Sequence, residues 1–389
     1  MTRMMIISSD CHAGLPDGRY REYLDPDYRE AYDRQLARLA AGGDVLRDQV
    51  AEFLDDREAD LAEGLNGAWD SAQRTKELDA DGIAAEVLFP DGSTKGNGAP
   101  FGVGLHPAAH TKPDRLLAGA RAHNRWLAEF CAEEPLRRIG LAVIPCVDDV
   151  ESACEEARWA RENGLGGVLI PSVWQYRPPY NDPVYDPFWA TCQELRLPVH
   201  THSGAVGDFG GWHLPGAAGI FTTEASWWAS RPLWHLIWGG VFERFPDLKF
   251  CVTENGAWWV PSMVTRMDAK WNGSHATERF GSAFTRHMPL KPSEYFLRNV
   301  RIGASVMARK EIELREQIGV GVIMWGNDYP HHEGTWPHTE KALRETFGDV
   351  PEAETRRMLG ETAAETYSLD VAGLAPIVER IGPELIGVA

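Results

Sequence analysis

Eight short apolar runs, each rich in β-branched or aromatic residues and bounded by Gly, Pro, Asn or Asp, alternate along this chain with longer stretches of helical period. Such alternation is the signature of βα units feeding a parallel sheet, and it leaves few folds open. The candidate strands are residues 3–9, 83–89, 139–145, 166–171, 196–202, 248–253, 299–304 and 321–327. Helical patterns fill most gaps, among them Leu116 to Glu133, Asp148 to Asn163 closing on Gly164, and Arg309 to Ile318 closing on Gly319. Eight such units predict a (β/α)8 barrel of the TIM type, an α/β fold for which 389 residues suffice with insertions. No repeat, linker or low-complexity segment divides the chain, so residues 1–389 are expected to form a single domain.

Two stretches break the rhythm. Residues 15–80 carry many charges and little strand pattern, and they are expected to be a helical insertion after the first strand. That insertion would be a lid over the barrel mouth, an oligomer contact or a solvated decoration. Residues 204–247 are long for a βα connection and rich in Gly and Trp, which predicts a long loop on the substrate side.

Four strand ends carry metal-ligand chemistry. Asp10 and His12 follow the first run in SSDCHAG, His202 closes LPVHTHSG, Glu254 stands in KFCVTENGAWW, and Asp328 and His331 lie in WGNDYPHHEG. Asp10 and His12, two apart on a strand, point to the same side. A lone D-x-H is more often a cap or a satisfied polar pair, and a lone Glu after a strand is ordinary. Four such groups at the mouths of four strands are hard to explain as caps, because a barrel gathers those mouths on one face. His200 shares the strand face of His202 and is the reserve ligand, and His332 competes with His331. Carboxylates mixed with imidazoles and few thiolates suit iron or manganese as well as zinc. The set is large enough for two divalent ions bridged by a carboxylate.

Composition excludes some partners. A net charge of −18 opposes binding to nucleic acid or an anionic membrane surface. It does not exclude an anionic small molecule, since the field inside a metal pocket can oppose that of the surface. No run of about 18 apolar residues is present, so no membrane span is expected, and Asp10 and His12 interrupt the N-terminal apolar stretch before it could serve as a signal. The six cysteines make no CxxC and are expected to be buried free thiols in a reducing cytoplasm.

The segments SSDCH, LDADGIAAEVLFP, HNRWLAEFCAEEPLRRIGLAVIP, GLGGVLIP, YNDPVYDPFWATCQELRLPVHTHSG, PDLKFCVTENGAWWVP and WGNDYPHHEGTWP fall in the order of a known family. Across residues 1–12 and 78–365 the chain resembles the amidohydrolase-related family that includes the aminocarboxymuconate-semialdehyde decarboxylases. The resemblance implies a (β/α)8 barrel with a divalent metal at the strand mouths, and Asp10, His12, His202 and Asp328 at the matching positions. Two departures matter. The first motif of those decarboxylases is usually H-x-H or E-x-H, and a His ends their sixth strand where Glu254 stands here. With ENGAWWVP and NDYPHHEGTWP, this is similar to the family's dinuclear non-heme iron oxygenases, some of which hydroxylate terpenoids in antibiotic biosynthesis. By that resemblance Asp10, His12, His202, Glu254, Asp328 and His331 would hold two irons, with Glu254 and Asp328 catalytic. The protein would then be a monooxygenase using O2 and an electron donor. The alternative is a decarboxylase or hydrolase with one zinc or manganese, in which Asp328 is the general base and Glu254 an acid/base auxiliary. A non-catalytic partner subunit is disfavoured by the complete ligand set, and a homo-oligomer is expected.

Seven of the fifteen tryptophans fall between residues 212 and 259, and Trp325 and Trp336 bracket Asp328. Most tryptophans are core packing, but Trp258 and Trp336, beside ligand-bearing segments, are the candidates to line an apolar pocket. A small but bulky hydrophobic substrate is expected, with Arg19, Lys95, Arg177 and Arg231 as candidate anchors for an acidic end, each also readable as a surface charge.

Overall fold

The computed structural model describes residues 3–41, 62–92, 98–105, 111–174, 177–207, 214–277 and 286–384. Eight strands run parallel in chain order: β1 Ile7–His12, β2 Ala85–Phe89, β3 Arg138–Val143, β4 Gly167–Leu169, β5 Val199–His202, β6 Phe250–Thr253, β7 Val300–Ser305 and β8 Ile323–Gly326. The sheet curls until the segment after β8 meets β1, where Asp328 N–H donates to Asp10 O at 2.9 Å and His12 N–H to Tyr329 O at 2.7 Å. This is the expected barrel, and all eight candidate runs overlap a strand. All strands but β7 are buried along their whole length between barrel interior and helices, which is why most of them read as near-continuous apolar runs.

The ladder between β1 and β2 is irregular between Ser8 and Cys11. Asp10 sits in that irregularity, a place where a strand can re-aim a side chain. Between β1 and β2 the insertion is helical where described, with helices Pro26–Ala41 and Ser71–Ala80. The second opens on Asp70, whose carboxylate accepts from Gln73 N–H at 2.9 Å. Its Arg74 is fully buried and grips Glu86 of β2 through two bonds of 2.6 Å, a pair hidden inside the apolar-looking IAAEVLF run.

The segment 204–247 differs from expectation. It is not a long loop but carries a 22-residue helix, Ala217–Trp238. The glycines that suggested a loop cluster before and at its start. Within the helix, Ala225, Ala229, Leu233, Leu236 and Ile237 recur at three- and four-residue spacing and are buried against the barrel. The Arg309–Ile318 pattern likewise resolves into two short helices, Arg309–Ile312 and Arg315–Ile318. All six cysteines are buried free thiols. Among the described residues no helix is long and apolar enough to cross a membrane.

Candidate metal centre

The ends of β1, β5, β6 and β8 bring the expected groups together. Asp10, His12 and His202 converge within ligand reach of one another, as do His12, Asp328 and His331, and Glu254, Asp328, His331 and Glu333 form a third overlapping set. Asp10, His12, His202 and Asp328 are completely buried. His202 Nε2 lies 3.2 Å from Asp10 Oδ1, and His12 Nε2 lies 3.4 Å from Asp10 Oδ1 and 3.2 Å from Asp328 Oδ1. His331 Nδ1 is 3.1 Å from Asp328 Oδ1, and its ring stacks on His12 with centroids 3.8 Å apart. Glu254 reaches in from the side, 3.3 Å from His202 Nδ1.

Each imidazole is oriented by a backbone carbonyl. His12 Nδ1 is 2.7 Å from Pro90 O, His202 Nδ1 3.0 Å from Ser203 O, and His331 Nε2 3.0 Å from Asp91 O. A carbonyl only accepts, so these nitrogens carry the N–H, and the other nitrogen of each neutral ring aims a lone pair at a carboxylate oxygen. Lone pairs facing lone pairs need a proton or a cation between them. His12 Nε2 and both carboxylate oxygens of Asp328 are buried and make no hydrogen bond of proper geometry. The donor set and these orphaned atoms fit a divalent ion.

The electrostatics agree. Burial opposes ionisation of Asp10, yet His202 and His12 hold its carboxyl far below the ordinary carboxylate range. Asp328 is likewise lowered, burial being overcome by His331 and His12. Burial works against charge on His12 and His202 also, but the facing carboxylates raise both imidazoles. Glu254 goes the other way. Burial at the mouth, reinforced by Asp328, Asp10 and Glu333 and opposed by His202, pushes its carboxyl up to about 8.

Several candidates are placed elsewhere. His200 is no reserve ligand, because Nδ1 bonds Val168 O at 3.1 Å and Nε2 bonds Tyr367 Oη at 2.8 Å, which commits both nitrogens. His332 lies partly exposed beside Glu333 and joins none of the ligand sets, so His331 is the imidazole that the turn delivers. Trp336 is buried rather than pocket-lining: its indole donates to Glu77 at 3.1 Å and packs edge-on against Tyr329. Trp258 is 62% exposed on the loop after β6. Arg177 pairs with Asp148 at 2.9 Å, Arg231 lies over the Trp174 ring at 4.2 Å, and Arg19 is exposed on a short helix, so none of them joins the cluster. Lys95 lies outside the described residues. Two participants went unread in the sequence. Glu333 stands two residues past His331, and Ser305, the last residue of β7, donates its hydroxyl to Asp10 Oδ2. A hydroxyl at a strand mouth was the available signal for Ser305.

The amidohydrolase family pattern described as Amidohydro_2 matches residues 9–369. The chain is 26% identical over 312 residues to a 2-amino-3-carboxymuconate-6-semialdehyde decarboxylase of Dictyostelium discoideum, covering 78% of each chain. It is 28% identical over 289 residues to a gamma-resorcylate decarboxylase of Rhizobium, covering 68% of this chain and 79% of that one. In structure it is similar to the 5-carboxyvanillate decarboxylase of Novosphingobium aromaticivorans, solved with manganese and 3-methoxy-4-hydroxy-5-nitrobenzoic acid. That match has a TM-score of 0.67 and 20% identity and covers 94% of this chain and 97% of the other, a likeness of fold. These relatives are decarboxylases. They overturn the expectation of a dinuclear iron monooxygenase acting with O2 in antibiotic biosynthesis. Glu254 in place of a His was its main support, and that carboxylate, beside His202 and also within ligand reach of Asp328 and His331, does not by itself call for a second ion.

Proposed function

The chain belongs to the amidohydrolase family, and from that premise we propose that it is a metal-dependent decarboxylase of a small aromatic carboxylate. The observation that carries the reading is the facing of His12 Nε2 and Asp328 Oδ1 across 3.2 Å, both buried and neither hydrogen-bonded. We assign one manganese or zinc ion to Asp10, His12, His202 and Asp328. His331 positions Asp328, and Ser305 positions Asp10. Such an ion, when bound, supplies positive charge that orients the substrate's oxygens and draws electron density from the ring.

The remaining work falls to the chain. Decarboxylation breaks the bond between ring and carboxylate, leaves its electron pair on the ring carbon and requires a proton there as CO2 departs. Glu254 is the side chain we assign to deliver that proton, because it is the carboxyl that reaches the cluster from the open side, its side chain 23% exposed and turned inward by the backbone. It takes the place of the family's His, and a carboxyl at the mouth with one side open to solvent can take up a proton and pass it on. Asp328, buried and flanked by His12 and His331, holds the ligand geometry and is the second group able to pass a proton.

The test is direct. Protein loaded with Mn2+ or Zn2+ is offered 2,6-dihydroxybenzoate, 5-carboxyvanillate and related carboxylated phenols, and CO2 release is followed. Release that disappears with chelation and with Glu254→Gln supports the proposal. A preparation that hydroxylates these compounds, or acts on none of them in either metal form, overturns it.

A further inference from the structure

Three neighbouring strands end alike. Just past β6, β7 and β8 the chain places one non-glycine residue in the left-handed region: Glu254 at φ 52°, Val306 at 47° and Asp328 at 57°. In each case the N–H of that residue still extends the ladder to the next strand around the barrel. Glu254 donates to Gly303 O at 3.0 Å, Val306 to Gly326 O at 3.1 Å and Asp328 to Asp10 O at 2.9 Å. At two of the three positions the side chain so turned joins the charged cluster. The third is a valine, immediately after the serine that holds Asp10.

A valine is the hard case for this conformation. Its branched Cβ crowds the backbone at positive φ, whereas glycine or asparagine would meet the same turn at little cost. Core packing does not explain it either, since Val306 is 40% exposed. Strain kept where neither backbone nor core asks for it points to a task for the side chain.

We infer that Val306 is a substrate-contact residue, presenting an apolar surface to the ring of the aromatic carboxylate beside the metal ligands. The inference deepens the decarboxylase reading and rests on it. A polar group at this third position would compete for the ion or hydrate the carboxylate that must lose its charge as CO2. Trp258 shares the rim. The buried carboxylate of Glu311 accepts from Ala257 N–H at 2.7 Å, Trp258 N–H at 3.2 Å and Ala308 N–H at 2.9 Å, which fastens the β6 and β7 loops together.

Val306→Gly decides the matter, because a strain-relieving change and a contact-removing change have opposite signs. The variant should melt at a higher temperature than wild type and bind the same amount of manganese. Its kcat/KM for the best carboxylated phenol should nonetheless fall by about tenfold, most of it in KM, the size expected for a few methyl groups lost from an apolar site. Calorimetric binding of 3-methoxy-4-hydroxy-5-nitrobenzoate to the manganese form should weaken in parallel. Val306→Ala keeps the backbone constraint and carries the same expectation for KM should the glycine variant not fold. Wild type that is active, with a glycine variant whose kcat/KM and probe affinity stay within about twofold, overturns the inference alone. Wild type that neither releases CO2 nor binds the probe overturns the decarboxylase reading and the contact with it.

Discussion

Arg74 with Glu86 makes one buried charged cluster, and Asp10, His12, His202 and Asp328 make another, and His12 belongs to both. Its carbonyl accepts from Arg74 Nη1 at 2.9 Å, while its ring faces Asp10 and Asp328. In the first cluster the guanidinium fork meets the carboxylate at 2.6 Å twice, and Gly67 O takes a further bond at 3.0 Å. Opposite charges are matched and the arrangement is self-sufficient. In the second, acceptors face acceptors, and atoms of His12 and Asp328 are left over. Burial alone is therefore a poor guide to function; the valence left unfilled by the protein is the better one.

That contrast can be broken most sharply by removing one partner from each side. Asp328→Ala should reduce both metal content and turnover to background, measured by elemental analysis and CO2 release, while the metal-free fold survives because the apolar packing of the barrel is untouched. Arg74→Met should do the reverse, lowering stability by roughly 3–5 kcal/mol in urea unfolding because Glu86 is left buried and unpaired. The double variant Arg74→Met with Glu86→Leu should recover much of that loss. Equal stability losses in the two single variants would erase the distinction.

Trp336→Ala should cost roughly 3 kcal/mol, since it empties a packed site against Tyr329 and unseats Glu77. Trp258→Ala should leave stability within about 0.5 kcal/mol and act on substrate KM, because its ring is already largely in solvent.

A smaller effect separates the clusters by pH. In the metal-free fold Glu254 keeps its proton up to about pH 8, whereas an unfolded glutamate gives it up near its ordinary value of 4.5. Within that window the folded chain binds more protons, so its stability falls as pH rises. His12 and His202, raised above the ordinary 6.5, add the same slope at the upper end. Melting curves of metal-free protein from pH 5 to 8 should slope downward, Glu254→Gln should flatten part of that slope, and manganese should remove most of it. A flat metal-free profile would show that Glu254 is not buried as described.

Local pattern was enough to place eight strands and the four mouths that carry Asp10, His202, Glu254 and Asp328, because strand period and strand-end punctuation are written in consecutive residues. It also marked the buried cysteines and the helices Pro113–Ala132 and Val150–Glu162. It misread Ala217–Trp238, whose glycines and tryptophans mimic a loop until the buried face is known. Only the tertiary structure decided between His331 and His332 and gave both nitrogens of His200 to Val168 and Tyr367. It alone buried Trp336 under Glu77, brought Ser305 to Asp10 and Glu333 to Glu254, and turned Val306 to positive φ. Those outcomes depend on contacts between residues tens to hundreds of positions apart and on the sign of single φ angles, and neither quantity has a period that a linear chain can display.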